Sequence, residues 1–428
     1  MNIIDDLCRF MDSAVVNFLA VRTVESDLLA DGFTELTPSD RWTLRPGDRR
    51  FVKANGSAIF AFIVGEGAAS GGFHIIAAHS DSPGFRLKPH CEMACEGGAV
   101  RLNTEVYGGP ILYTWFDRPL SLAGRVILRG DNPLRPRHTT VRFDKALLTI
   151  PHLAIHFNRQ VNEGNKLSKQ KDMLPVAALG LDGCKGMIRK LLSDKLDVSP
   201  DDILDYDLSL FDTTPAGVVG VDSQMICSGR LDDLSMVHAG LTALRRTAGT
   251  ATKATRVLAV FDNEETGSGT KQGAGSPVLE YILRRITSCL GGDEQAFIQA
   301  VANSFLISAD NAHGFHPNYP EKYDPTNHPV LGGGPCIKIN ANCKYMTDAD
   351  SAAVFAEICL RAGVPFQYFV NHSDSAGGST LGNILTGRMP LRGVDMGAPL
   401  WAMHSVRETA STKDHEFTAR AFGEFFSL

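Results

Sequence analysis

The sequence predicts an α/β protein: a mixed, largely parallel sheet sandwiched by helices and interrupted by an inserted β-rich domain. Three observations carry this. Apolar strand-length runs alternate with amphipathic helix-length segments, above all after residue 227, as in a sheet covered by helices. Between residues 92 and 226 the texture changes to short β-branched runs broken by DNP, RPR and IPH clusters. The 428 residues, at roughly 150 per domain, set a prior of two to three domains. The expected division is a first α/β segment at 1–91, the insertion at 92–226 and a second α/β segment at 227–428.

In chain order, Leu7, Phe10, Met11, Val15, Phe18 and Leu19 recur at helical spacing. A second helix is expected over 24–30, stopped by Asp31-Gly32. Residues 51–64 hold short β-rich runs, GEGAASGG reads as a hairpin turn, and 73–78 (FHIIAA) reads as a buried strand. The glycine-rich turn lacks the GxxxxGK[ST] pattern of a phosphate loop. Within the insertion, 124–129 and 141–150 read as antiparallel strands. Beyond it, helices are expected at 231–248, 276–290, 349–362 and 410–425. Strands are expected at 256–261, 304–308 and 366–370.

Composition narrows the function classes. Asp+Glu 48 against Lys+Arg 42 leaves a net charge of −6, with no concentrated basic footprint for nucleic acid. Mean hydropathy is −0.06, and no apolar stretch approaches the roughly 18–20 residues of a spanning helix, so no membrane partner is expected. The N-terminus carries Asp5, Asp6 and Asp12 where a secretory signal needs a basic start and an unbroken apolar core. Nine cysteines without CxxC pairs fit reduced thiols. A cytoplasmic enzyme is the expectation.

The chemistry gathers where apolar strands end. FHIIAAHSDSP ends at His79, with Asp81 two residues later; RVLAVFDNEETGS ends in Asp262, Glu264 and Glu265. SFLISADNAHGFHPNY ends in Asp310, followed by His313 and His316, and PLWAMHSVRE carries His404. In open α/β sheets ligands bind outside the carboxyl ends of strands, so these groups can converge in one cleft. Any single acid after a strand also serves as a helix cap or turn former. The repetition, and a Glu-Glu pair that no cap requires, favour metal: adjacent carboxylates repel, and a divalent cation offsets that repulsion. Histidine with carboxylates and no cysteine suits zinc, manganese or cobalt. Spacing alone thus gives a two-metal hydrolase of unspecified substrate.

At these motifs the sequence resembles the aspartyl aminopeptidase family of dinuclear metallopeptidases. The resemblance runs through AAHSDSPG, TEVYGGPILYTWFDRPLSLAGRV, IPHLAIHFNR, RLDDL, FDNEETGS, ISADNAHGFHPNY, GPCIKIN and PLWAMHSVRE, in family order. It implies that His79, Asp232 and Asp310 bind one divalent ion, and that Asp232, Glu265 and His404 bind a second, with Asp232 bridging. Zinc is the first expectation, manganese or cobalt the substitutes. Glu264 becomes the general base, and Asp233 a cap or a partner of the ligands. Peptides with acidic N-terminal residues are the implied substrates, with Lys338 pairing with the side-chain carboxylate; without the family, Lys338 reads as a solvated strand-edge lysine. His156 is implied to reach a neighbouring subunit's site, and His313 and His316 to line the pocket. A homo-oligomer is also implied, a dodecamer built from dimers through the inserted domain. One departure stands out: Asp12 to Phe18 lacks the family's proline-rich turn and following histidine. Two other readings remain: a dinuclear amidohydrolase or peptidase of relaxed specificity, and a metal-stabilised assembly protein without turnover.

Overall fold

A computed structural model, describing residues 2–180 and 184–428, divides the chain into two bodies. The first comprises Met1–Asp81, Ala216–Met403 and Glu408–Leu428; the second comprises Ser82–Pro215 and His404–Arg407.

A nine-stranded sheet organises the first body. Across the sheet the order is Thr34–Glu35, Arg49–Ala54, Ala58–Ile63, Thr255–Phe261, Phe73–His79, Phe305–Ala309, Gly393–Gly397, Cys336–Ile339 and Gln367–Val370. The central four, from Thr255–Phe261 to Gly393–Gly397, are mutually parallel. Antiparallel neighbours flank them at Ala58–Ile63 and Cys336–Ile339. The sheet is therefore mixed and largely parallel, as the alternation predicted. Register pairs Phe261 with His79, and Ser308 with Ala77, so the three central strands end level with one another.

Strand pleating sorts side chains into two cores. Ile76, Ala78, Leu258, Val260 and Ile307 join one cluster with residues of the helices Ile3–Ser13, Leu231–Arg246, Ala349–Ala362 and Thr412–Ser427. Ile75, Ala77, Val257, Ala259 and Leu306 join the other with the helices Val278–Cys289 and Glu294–Ala302. Burial on both faces is why these strands read as continuous apolar runs rather than alternating ones.

Three expectations are corrected. GEGAASGG is not a hairpin turn: the strands it joins, Ala58–Ile63 and Phe73–His79, are separated in the sheet by Thr255–Phe261. Its glycines let the chain pass close to residues 253–254; a Cβ on Gly65 would stand 2.4 Å from the Lys253 carbonyl oxygen. The strand expected over 141–150 ends at Arg142, and residues 143–150 contribute only isolated bridges. The insertion is displaced by some ten residues from the expected 92–226. Gly84–Ala94 already pairs with Ala99–Tyr107 in the second body's sheet. At the other end, Gly217–Val219 and Met225–Ser228 pair within a five-stranded sheet of the first body.

In the second body six strands form an antiparallel sheet, ordered Arg135–Arg142, Leu120–Asn132, Ile203–Asp212, Gly84–Ala94, Ala99–Tyr107 and Val176–Leu179. Phe85, Leu102, Trp115, Leu122, Val126 and Leu208 form its core, with Ile188 and Leu192 of the helix Met187–Leu196. Among the described residues no helix is long and apolar enough to cross a membrane.

Candidate metal and catalytic centre

The carboxyl ends of the central strands supply the side chains. His79 closes Phe73–His79 and is buried; its Nε2 stands 3.6 Å from Asp232 Oδ1 and its Nδ1 3.4 Å from Asp81 Oδ1. Asp232 lies at the start of Leu231–Arg246, where its extended backbone (φ −80°, ψ 107°) turns it away from the helix, and its N–H donates to Glu408 at 2.9 Å. Asp233 does not cap that helix; its Oδ2 accepts the His79 N–H at 3.0 Å. Asp310 follows Phe305–Ala309, its N–H held by the Met396 carbonyl at 2.9 Å. Ligand atoms of His79, Asp232, Asp233 and Asp310 all lie within 4.8 Å of one another, and all four residues are buried.

Glu264 and Glu265 occupy a short 3-10 turn, Glu264–Thr266, after the strand Thr255–Phe261. Asn263 enters that turn in the left-handed conformation (φ 63°), which asparagine tolerates better than most residues. Asp81 fixes the turn with both carboxylate oxygens, accepting the Glu264 and Glu265 N–H groups at 3.1 Å each. Glu264 and Glu265 also bring ligand atoms within 4.8 Å of one of His79.

This donor set fits a divalent cation. One imidazole with several buried carboxylates is a hard, anionic cage. Asp233 Oδ1 is buried without a hydrogen-bond partner, a costly state for a carboxylate that no cation meets. The protonation preferences agree. Burial, with Asp310, Glu265 and Asp232 against the opposing pull of His79, pushes Glu264 up to about 8. Burial, then Asp310 and Asp232, raise Asp233 well above the usual carboxylate range. Burial opposes a charge on His79, yet Asp233, Asp232 and Asp81 hold its affinity for a proton well above normal. In each case a positive charge is wanted at the cluster.

Lys338 is not a solvated strand-edge residue. Only 3% exposed, it sends Nζ to Asp310 Oδ1 at 3.2 Å, with the Tyr345 ring centroid at 5.7 Å. Burial opposes its charge, but Asp310, Tyr345 and Asp395 more than compensate and push its pKa up. His313 is exposed, at the end of a two-residue strand, 5.9 Å from the Phe369 ring. His316 lies 5.0 Å from the Tyr319 ring and 6.3 Å from Trp401, and its Nδ1 accepts the Asn318 N–H at 3.2 Å.

Two expected residues belong to the second body. His156 is exposed in the 3-10 turn Ile155–Phe157, not in a strand. His404 is half-buried, in a left-handed backbone conformation (φ 68°), its Nδ1 3.1 Å from the Gly109 carbonyl oxygen. Residue reasoning underrated Asp81 and missed Glu408. The HSD spacing was visible for the first, but a carboxylate holding a backbone N–H from a distant segment leaves no local signal.

A family model described as "Aminopeptidase I zinc metalloprotease (M18)" matches residues 10–426. The chain belongs to the M18 family. Its likeness to "Probable M18 family aminopeptidase 2" of Clostridium acetobutylicum is 47% identity over 425 residues, covering 99% of this chain and 98% of that protein. The solved structure titled "Cryo-EM structure of the Ape4 and Nbr1 complex" superposes with a TM-score of 0.96 at 34% identity, covering 99% of this chain and 85% of that one. The "Structure of S. cerevesiae mApe1 dodecamer" matches with a TM-score of 0.87 at 24% identity, a likeness of fold, over 99% of this chain and 96% of that one. As an M18 protein the chain is a metallo-aminopeptidase, a hydrolase of peptide N-termini. The buried His/Asp cluster is where such a protein needs its metal.

Proposed function

We propose that this M18 aminopeptidase removes acidic residues, Asp and Glu, from peptide N-termini. The observation that carries the reading is Lys338: a buried cation 3.2 Å from Asp310, at the edge of the ligand cluster. An ammonium has three donors, and the bond to Asp310 uses one, so a substrate carboxylate can take another.

In this reading His79, Asp232 and Asp310 hold one divalent ion. Glu265 and His404 join Asp232 at a second, on the family pattern. Bound zinc, or manganese or cobalt, supplies Lewis acidity to the scissile carbonyl and its attacking water. Glu264 accepts the proton of that water and returns it to the departing amine. Asp81 holds the turn so that the Glu264 carboxylate meets its task in one orientation. The acidic cluster favours the substrate's α-ammonium, which restricts cleavage to the first residue. His313 and His316 line the pocket, and His156 is offered to a neighbouring subunit. That last role requires a homo-oligomer, with a dodecamer of dimers as the form proposed and the second body supplying dimer contacts. The fold shared with a dodecameric protein supports it, and a cytoplasmic location fits the free thiols.

The test is a panel of N-terminal residues on chromogenic amides, with defined zinc, manganese and cobalt loading. Lys338→Ala should lower kcat/KM on Asp and Glu substrates by about 10- to 100-fold more than on neutral ones, the value of a charged hydrogen bond. Equal losses on both would remove Lys338 from substrate recognition. Glu264→Gln should reduce kcat by about 100-fold or more with metal still bound; an active variant would end the base assignment.

A further inference from the structure

The first residue of the helix Asn17–Ala30 reaches Asp262, two residues before Glu264. Asn17 Nδ2 donates to Asp262 Oδ1 at 3.1 Å, while its own Oδ1 accepts the Phe18 N–H at 2.9 Å, so the amide is held at both ends. Asp262 is 2% exposed and directly follows the strand Thr255–Phe261, on the way to Glu264 and Glu265. Its Oδ1 also accepts the Asn263 N–H at 2.9 Å, and its Oδ2 lies 3.4 Å from Gln272 Nε2. Gln272 reaches Asn263 Oδ1 at 2.8 Å, and the Thr270 hydroxyl reaches the same oxygen at 2.8 Å. Asn263 is the left-handed residue that starts the turn. The Glu pair is therefore held from two sides: Asp81 grips its N–H groups, and the Asn17–Asp262 pair fixes the residue from which it departs.

From this geometry we infer that Asn17 is a positioning residue for the catalytic turn, acting through Asp262 to hold Glu264 and Glu265 in working orientation. Asn17 lies in the segment, Asp12 to Phe18, where the chain lacks the family's proline-rich turn. A buried carboxylate that loses a neutral donor re-forms its bonds with whatever remains; for Asp262 that is Ser57, the Asn263 N–H and Gln272 Nε2, the last two of which also meet the residue that starts the turn. Asn17 is an amide and not one of the His, Asp and Glu residues that could hold a metal ion among the described residues. Its loss should loosen the Glu pair while leaving substrate-contacting groups in place, which separates kcat from KM.

This inference rests on the proposed ligand role of Glu265 and base role of Glu264, and the experiment keeps the two apart. Asn17→Ala, Asp262→Ala and the double variant are compared with the parent protein by kinetics on an N-terminal Asp amide, by zinc retention against a competing chelator, and by thermal unfolding with zinc present. For Asn17→Ala we expect kcat down by about tenfold with KM within about twofold, and zinc retention weakened by about tenfold, the range seen when a group supporting a ligand is lost. In the Asp262→Ala background, which leaves Asn17 no acceptor, adding Asn17→Ala should have little further effect, because the path it acts through is already broken. Unchanged kcat and zinc retention in Asn17→Ala overturns the inference. Full additivity in the double variant also overturns it, as does a loss of activity that only follows a fall in unfolding temperature. If Glu264→Gln proves active while Asn17→Ala still sheds zinc, the base assignment fails and the positioning role stands.

Discussion

Residues that end strands were the most legible part of this protein. His79, Asp310, Glu264 and Glu265 could be picked out because a ligand type directly after an apolar run is a local pattern, whereas Asp232, at a helix start, came into view only through the family resemblance. The burial of Lys338 was not legible, since it depends on Asp310 and Tyr345 arriving from other segments. His74 shows the same limit. It is a strand residue packed 5.0 Å from the Phe425 ring, and burial, with Arg256, lowers its pKa from 6.5 to about 4. In the unfolded chain it takes up a proton near pH 6.5, while in the fold it does so only near pH 4. The stability tied to its neutral form is thus complete above pH 6.5 and lost as pH falls towards 4. At pH 5 that loss is about 2 kcal/mol. His74→Gln should shrink the stability difference between pH 7 and pH 5 by about this amount in denaturant unfolding. An unchanged difference would show that His74 is not the acid-sensitive group.

At the scale of elements, the helix–strand alternation after residue 227 was read well because each segment carries its own period. Pairing order was not. GEGAASGG looked like a hairpin because nothing near it announces that residues 255–261 will enter between its flanking strands. Close approaches are equally hidden, and one of them bears on the site. Gly397 ends the strand Gly393–Gly397, and a Cβ there would fall 1.8 Å from the carbonyl oxygen of Asp310. Such an overlap with backbone cannot be relieved by rotating a side chain. Gly397→Ala must therefore push the end of one strand away from the other and carry Asp310 with it. The expected outcome is a loss of about 1–3 kcal/mol in unfolding free energy, typical of overpacking, with zinc retention impaired beyond what that loss explains. Wild-type zinc affinity in a folded Gly397→Ala protein would show that the strand end tolerates the shift.

For the molecule as a whole, the buried cluster that could hold a metal is a stability problem. Asp232, Asp233 and Asp310 are buried together, and their repulsion opposes folding until a cation enters. Chelation should lower the unfolding temperature, with a stability loss of about 2.7 kcal/mol if the ion had been present at 100 times its dissociation constant. Adding back zinc should restore it in a concentration-dependent way. A melting curve indifferent to chelator and zinc would count against the cluster as a metal site. The ends of the insertion were hard to read because Gly84–Ala94 and Gly217–Val219 resemble strands of either sheet until their partners are known.

The strand order also carries a history of assembly. Phe73–His79 is made early, yet both of its neighbours, Thr255–Phe261 and Phe305–Ala309, come more than 170 residues later, so its edges wait unpaired. The second body's sheet has all its strands once Asp212 has been synthesised, and it can close on itself in the interval. Folding should then proceed from the inside of the sequence outwards, with the inserted sheet forming before the nine-stranded sheet is complete. In pulse-labelled hydrogen exchange during refolding, amides in Leu120–Asn132 and Ile203–Asp212 should gain protection before those of Phe73–His79. The opposite order would mean that the long-range strands find each other without that help.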